Sequence, residues 1–241
     1  MLKHYCLLLC LFLCFETSAQ LLEYDFENNS TSTSWYADNI QLETAYSNPY
    51  QNSQNPSSTV LRYADTGGLY ANVGLDSSEP IILTQNSPFT VKIYVPASGI
   101  TGNQTNQISL KLQNRNQQEP WSNQTEIIKP VVLDQWQTIT FDFSEDNYVN
   151  LNPTSQNPLE RTDFNRVLLQ INGENNTDQV IAFIDDFYFE GGEVESDPGN
   201  PNDPVYDMLV WSDEFDQEGN LNSQKWFHQT ELPNGSSWFN G

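Results

Sequence analysis

Along most of this chain, apolar and polar residues alternate with a period of two. In Phe89–Val95, the side chains of Phe89, Val91, Ile93 and Val95 fall on one face, and Thr90, Lys92 and Tyr94 on the other. Ile108, Leu110 and Leu112 alternate with Ser109, Lys111 and Gln113, and Ile139, Phe141 and Phe143 with Thr138, Thr140 and Asp142. Leu22–Glu27, Phe164–Asn172 and Val180–Glu190 read the same way. Thr59–Ala64 and Leu69–Leu75 flank Gly67-Gly68, a pair that predicts a hairpin turn. Successive side chains of a strand point to opposite faces, so each segment offers one apolar face. No stretch of Leu21–Glu190 shows the 3.6-residue spacing of an amphipathic helix. Roughly nine to eleven half-buried strands are best satisfied by two antiparallel sheets packed face to face. The expected fold is all-β, a jelly-roll β-sandwich.

The ends break this pattern. Residues 1–19 open on Lys3 and His4, continue as an apolar run Tyr5–Phe15, and close on Thr17-Ser18-Ala19, as a secretory signal does. That run is too short to span a bilayer, which takes ~20 apolar residues. Residues 20–190 are the expected sandwich. Residues 191–204, GGEVESDPGNPNDP, combine prolines, glycines and acids with almost nothing to bury, which reads as an extended linker. Residues 205–241 return to strand-like apolar residues, with Trp211, Phe215, Trp226, Phe227 and Trp238 between acidic turns. The long Asn-, Ser- and Gln-rich interruptions Ser47–Ser58, Thr101–Gln107, Gln113–Gln124 and Asn147–Arg161 are loops, where binding residues tend to concentrate.

Charge narrows the range of partners. The chain carries 9 Lys and Arg against 32 Asp and Glu, a formal net charge of −23. Such a surface repels nucleic-acid phosphates and anionic membranes, so neither is an expected partner, and no membrane span is expected. The chain is expected to be secreted, extracellular or at the cell surface, and a monomer. All three cysteines, Cys6, Cys10 and Cys14, lie in the signal, which leaves the mature chain without a disulfide. The abundant amides and hydroxyls suit sugar hydroxyls, and suit plain solvation equally well. Only His4 and His228 are present, so a histidine-based triad or zinc cluster is ruled out within the sandwich.

Carboxylates gather at both ends of the sandwich. Asp25 and Glu27 share a face of the first strand, and Asp185-Asp186 interrupts the last strand among Phe183, Ile184 and Phe187. A carboxylate among phenylalanines is costly unless it is paired, capping or metal-bound. If first and last strands are neighbours, Asp25, Glu27 and Asp185 could meet around a structural Ca²⁺, completed by loop carbonyls. Capping of backbone amides is the alternative.

The opening YDFE and closing IDDFYFE also carry a resemblance. The sandwich resembles carbohydrate-binding modules of the family-4 and family-22 kind, and more closely the noncatalytic modules that precede polysaccharidases of marine Bacteroidetes. Its strands ISLKLQN, WQTITFDFS and FNRVLLQIN carry the likeness. The resemblance implies a polysaccharide ligand. Sugar recognition needs flat aromatic faces surrounded by hydrogen-bonding side chains. Trp35, Tyr36, Tyr46, Tyr50 and Trp121 are the candidate platforms in polar stretches. Tyr94, Lys111, Gln113, Gln170 and Asn172 are candidates on non-core strand faces. Trp136, at a strand start, reads as structural.

The last segment, LVWSDEFDQEGNLNSQKWFHQTELPNGSSWFNG, resembles the N-terminal edge of family-16 glycoside hydrolases, laminarinase-like endo-β-1,3-glucanases in particular. Leu209–Phe215 and Leu221–Trp226 carry the likeness, with Trp238 and Asn240. It implies that Trp238 and Asn240 lie near the glycone subsites of a parent enzyme. The retaining carboxylate pair of that family comes from a Glu-x-Asp-x-x-Glu strand further along, which this sequence does not contain. The expectation is therefore a sugar-binding sandwich ahead of a truncated catalytic start, itself inactive and without catalytic residues. A surface or adhesive sandwich with no enzymatic parent is the alternative.

Overall fold

The computed structural model describes residues 20–27 and 35–192. The chain divides into two compact units, Met1–Glu195 and Ser196–Gly241, and every described residue belongs to the first. The expectations for the signal, for most of the linker and for Trp211 through Asn240 lie outside the described residues.

The first unit is a two-sheet antiparallel sandwich. Its strands are β1 (Leu21–Tyr24), β2 (Trp35–Asp38), β3 (Ile40–Ser47), β4 (Thr59–Asp65), β5 (Asn72–Asp76) and β6 (Phe89–Tyr94). They continue as β7 (Gln107–Gln113), β8 (Thr125–Pro130), β9 (Gln137–Phe141), β10 (Val149–Asn150), β11 (Arg166–Ile171) and β12 (Ile181–Glu190). The first sheet runs β3-β4-β12-β6-β9, with β1 also on β12; the second runs β10-β8-β7-β11-β5-β2. First and last strands pair directly, Leu21 opposite Glu190 and Tyr24 opposite Phe187. The all-β expectation holds, and the described residues contain no α-helix, only short 3₁₀ turns.

Alternation decides which residues fill the core. Val91, Ile93, Ile184, Phe187 and Phe189 of the first sheet meet Leu110, Leu112, Val167, Leu169 and Val73 of the second, all fully buried. Burying each such side chain contributes about 1.5–3 kcal/mol. Phe89 stacks on Phe189 with centroids 4.0 Å apart. The opposite residues of the same strands, Ser109, Lys111, Gln113 and Gln170, face outward from the second sheet.

Two local readings are corrected. Thr59–Ala64 and Leu69–Leu75 do not form a hairpin: β4 belongs to the first sheet and β5 to the second. Gly67-Gly68 makes a crossover between sheets instead. Gly67 sits at φ +88°, and a Cβ on Gly68 would strike the Asn39 side chain. Asn39, itself at φ +56°, makes the other crossover, from β2 to β3. Its carbonyl accepts from Thr66 N (3.1 Å) and Oγ1 (2.8 Å), locking the two crossovers together. The first strand also ends early, because Phe26 turns to φ +55° and drives its ring into the core.

Candidate functional site

The outer face of the second sheet follows from the register of its central strands. One row holds Lys111, Leu168, Gly74 and Tyr36 side by side, with Glu126 beyond Lys111. The row on one side pairs Ser109 with Gln170, and that on the other sets Gln113 beside Arg166 and Asp76. Gly74 is required here. A Cβ would fall on the Tyr36 ring and on Leu168, so the ring lies across the bare backbone. Arg166 holds that ring from 5.3 Å and forks onto Asp76 through Nε (2.6 Å) and Nη2 (3.0 Å). Burial alone would push the Asp76 carboxyl up, but the guanidiniums of Arg166 and Arg115 hold it below its ordinary value. Burial drives the Tyr36 hydroxyl well above the ordinary tyrosine range.

Ser109, Lys111, Gln113 and Gln170 are only 2–5% exposed although they point away from the core. Lys111 is held between Glu126 (3.3 Å) and Glu174. Gln113 donates to Gln124 Oε1 at 2.8 Å, and Gln170 donates to the Ala71 carbonyl at 3.3 Å. Further polar atoms stay uncommitted. Gln170 Oε1, the Tyr36 hydroxyl and both side-chain atoms of Asn172 are buried with no partner among the described residues. A buried polar group left unpaired costs roughly 1–3 kcal/mol, which a ligand hydroxyl would recover. The outer face therefore carries a densely packed polar layer with the Tyr36 ring at its edge.

The sequence candidates divide between the two sheets. Lys111, Gln113 and Gln170 come together on this face, as their alternation predicted, whereas Asn172 lies just past the end of β11 at φ +67°. Trp35 is corrected: it is 6% exposed and packs in the core, with Tyr24 and Phe187 edge-on at 5.6 and 5.3 Å. Its neighbour Tyr36 takes the outer position. Tyr94 and Tyr50 are corrected as well. They lie on the outside of the first sheet, stacked on each other at 4.0 Å, with Tyr94 only 8% exposed. Their ring faces are spent on one another and on Phe183 and Trp136. Trp136 is structural, as expected, and donates Nε1–H to the Tyr50 carbonyl (2.9 Å). Trp121 is 55% exposed on the 3₁₀ turn Pro120–Asn123.

The carboxylates do not assemble as a triad. No group of three His, Cys, Asp or Glu side chains placed to hold a metal exists among the described residues. Asp25 closes a local turn by accepting from Glu27 N (3.1 Å). Glu27 caps the start of β4, accepting from Ser58 N (2.5 Å), Ser58 Oγ (2.7 Å) and Thr59 N (3.2 Å). Asp185 is fully buried at a bulge of β12, where its Oδ2 accepts from Asn55 Nδ2 at 2.7 Å. Burial pushes its carboxyl up to about 6, offset only in part by hydrogen bonds from Ser57 and Asn55. Asp186, at φ +42°, pairs with Lys92 at 2.6 Å.

Sequence reasoning missed one cavity. The loops after β7 and after β10 meet in a pocket of about 370 Å³, built on Asn123, Asn152, Gln156, Glu160, Arg161 and Asp163. Gln113–Gln124 and Asn147–Arg161 were legible as long polar loops, but pairing loops distant in sequence takes the fold.

No family model matches this chain, and no curated protein matches it. Solved structures that share its outline do so at low identity. One is an exo-β-agarase, at 14% identity and a TM-score of 0.47, over 70% of this chain and 24% of that one. A second is the family 11 carbohydrate-binding module of a cellulosomal cellulase of Clostridium thermocellum, at 12% identity and 0.48, over 73% and 96%. A third, a Clostridium thermocellum endo-1,4-β-D-xylanase fragment of a family 22 module joined to its catalytic module, matches at 15% and 0.47, over 70% and 28%. The chain spans about a quarter of the length of the agarases it matches. Among the described residues, no helix is long and apolar enough to cross a membrane.

Proposed function

We propose that the sandwich is a carbohydrate-binding module of a secreted polysaccharide-degrading enzyme, and that a glycan chain lies along the outer face of the second sheet. The observation that carries this is the polar layer on that face, Lys111, Gln113 and Gln170 beside Tyr36, in which Gln170 Oε1 and the Tyr36 hydroxyl make no hydrogen bond among the described residues. Sugar hydroxyls are both donors and acceptors and can meet all of them. Tyr36 and Leu168 give the apolar side of a pyranose ring something to rest on. Gln113 and Lys111 flank the path. A −23 chain suits an uncharged glycan, and the terminal likeness to family-16 hydrolases, Trp238 and Asn240 included, favours a β-glucan such as laminarin. The module itself does no hydrolysis. It raises the local concentration of substrate for whatever it is tethered to.

Calcium belongs to the same proposal in reduced form. Asp185 is a buried carboxylate, and both it and Glu27 engage the Asn55–Thr59 segment. Those two would be its carboxylate ligands, and because their oxygens already accept from Asn55, Ser58, Thr59 and Asp186, binding the ion would require those hydrogen bonds to give way. Added calcium should raise the melting temperature and chelator should lower it; an unchanged melting curve removes the ion.

The test of function is depletion of the full chain from solution by laminarin-type glucan, mixed-linkage β-glucan and agarose, with Gln170→Ala in parallel. Retention on at least one polysaccharide, weakened about tenfold or more by the substitution, supports the reading. No retention on any of them leaves an adhesive or structural sandwich.

A further inference from the structure

From the cavity between the loops after β7 and β10 we infer a second saccharide site, separate from the sheet face, that takes a short uncharged sugar or a chain end. The cavity is about 370 Å³, at the small end of the ~300–1,000 Å³ of ligand pockets, a size for about one or two sugar rings rather than a polysaccharide strand. Apart from Glu160, Arg161 and Asp163, its walls are amides and hydroxyls, the groups that exchange hydrogen bonds with sugar hydroxyls in either direction.

The floor is rigid. Arg161 is 6% exposed and lies over the Phe164 ring at 4.0 Å. Its Nε and Nη2 fork onto Asp163 at 2.9 and 3.1 Å, and its Nη1 donates to the Asn123 carbonyl at 2.8 Å. Burial would raise the Asp163 carboxyl, but the Arg161 fork and Asn114 hold it below its ordinary value, so its negative charge stands against the Arg161 guanidinium. Asn152 Nδ2 donates to Asn123 Oδ1 at 2.7 Å, which ties one loop to the other. With the cation already matched and Glu160 also on the wall, the pocket offers no positive charge to an anionic sugar.

Two exposed apolar residues adjoin wall residues in sequence. Trp121 is half exposed on the same short turn that carries Asn123, and Leu151, exposed, immediately precedes Asn152. Trp121 does not line the cavity itself; its exposure on the adjoining turn is what assigns it, within this proposal, as the stacking platform for a sugar ring. The second site requires only the described sandwich and does not depend on the sheet face binding glycan.

The test is calorimetric titration of the full chain with cellobiose, laminaribiose and neoagarobiose, and separately with laminarihexaose. The variants are Trp121→Ala, Gln156→Trp, which fills the cavity from an exposed position, and Gln170→Ala on the sheet face. Circular dichroism melting checks that each folds. At least one disaccharide is expected to bind, with affinity reduced about tenfold by either pocket variant and changed less than about twofold by Gln170→Ala. Disaccharide binding that survives both pocket variants, or no disaccharide binding at all, overturns the second site. Hexaose binding that is lost only in Gln170→Ala, with no disaccharide binding, leaves the sheet-face reading standing and the pocket reading refuted. The reverse pattern refutes the sheet face alone.

Discussion

Asp185 shows how one side chain can be placed against its own chemistry. Its carboxyl titrates at about 6 in the fold, against 3.8 ordinarily, because it is buried at a bulge with neutral donors for company. A carboxyl raised on folding binds its proton more tightly in the native state. Its stabilising contribution is therefore full below pH ~4 and lost as pH rises through about 6, a change worth roughly 3 kcal/mol. In chelator, Asp185→Asn should remove that share of the pH dependence, so that variant and wild type diverge between pH 4 and 7 in urea denaturation. Parallel curves would mean the carboxyl is not perturbed. The two indoles named as platforms separate at the same scale. Trp35→Ala should cost about 3–5 kcal/mol, as deletions of core aromatics do, whereas Trp121→Ala should stay within about 0.5 kcal/mol. Equal costs in thermal denaturation would contradict their assignment to core and rim. Sequence could not separate them, since each sits among polar neighbours. Trp35 is drawn inward because it pairs opposite Leu75 of β5, whose side chain lies in the core.

At the level of elements, strand alternation was legible and strand partnership was not. Ser109, Lys111, Gln113 and Gln170 were placed on an outer face by counting in twos, and the structure has them there. Tyr94 satisfies the same count but stands on the other sheet, so its ring meets Tyr50 rather than Lys111. Periodicity reports which face a residue takes, not which sheet owns the strand. The Gly67-Gly68 pair taught the same lesson, being glycine-rich for a crossover and not for a hairpin. Gly68→Ala would push a Cβ into Asn39. It should destabilise by about 1–3 kcal/mol, as overpacking does, while an equal Gly→Ala change in an open loop should not. Lys111 is an element-level device too, joining β7 to Glu126 on β8 and to Glu174 after β11. Lys111→Met would leave two carboxylates facing each other, and a loss of about 3–5 kcal/mol is expected in chemical denaturation. A neutral outcome would show that the pair is not held as described.

For the whole molecule, the sandwich presents a polar floor on one sheet, an aromatic cluster beneath a loop on the other, and a cavity at a loop end. The acidic balance was readable at once and works against polyanionic partners. The two-sheet architecture was readable because every strand is half apolar. What remained hidden was convergence: Asn123 and Asn152, or Tyr36 and Leu168, meet only once the strand order is known. The central claim is that the outer face of the second sheet holds a glycan chain. The most direct measurement is calorimetric titration of the full chain with laminarihexaose, wild type against Gln170→Ala and Tyr36→Phe, which removes the hydroxyl and keeps the packed ring. The account predicts saturable binding by the wild type, with each substitution weakening it about tenfold or more while the melting temperature stays close to wild type. Binding indifferent to both substitutions, in proteins that remain folded, would contradict it.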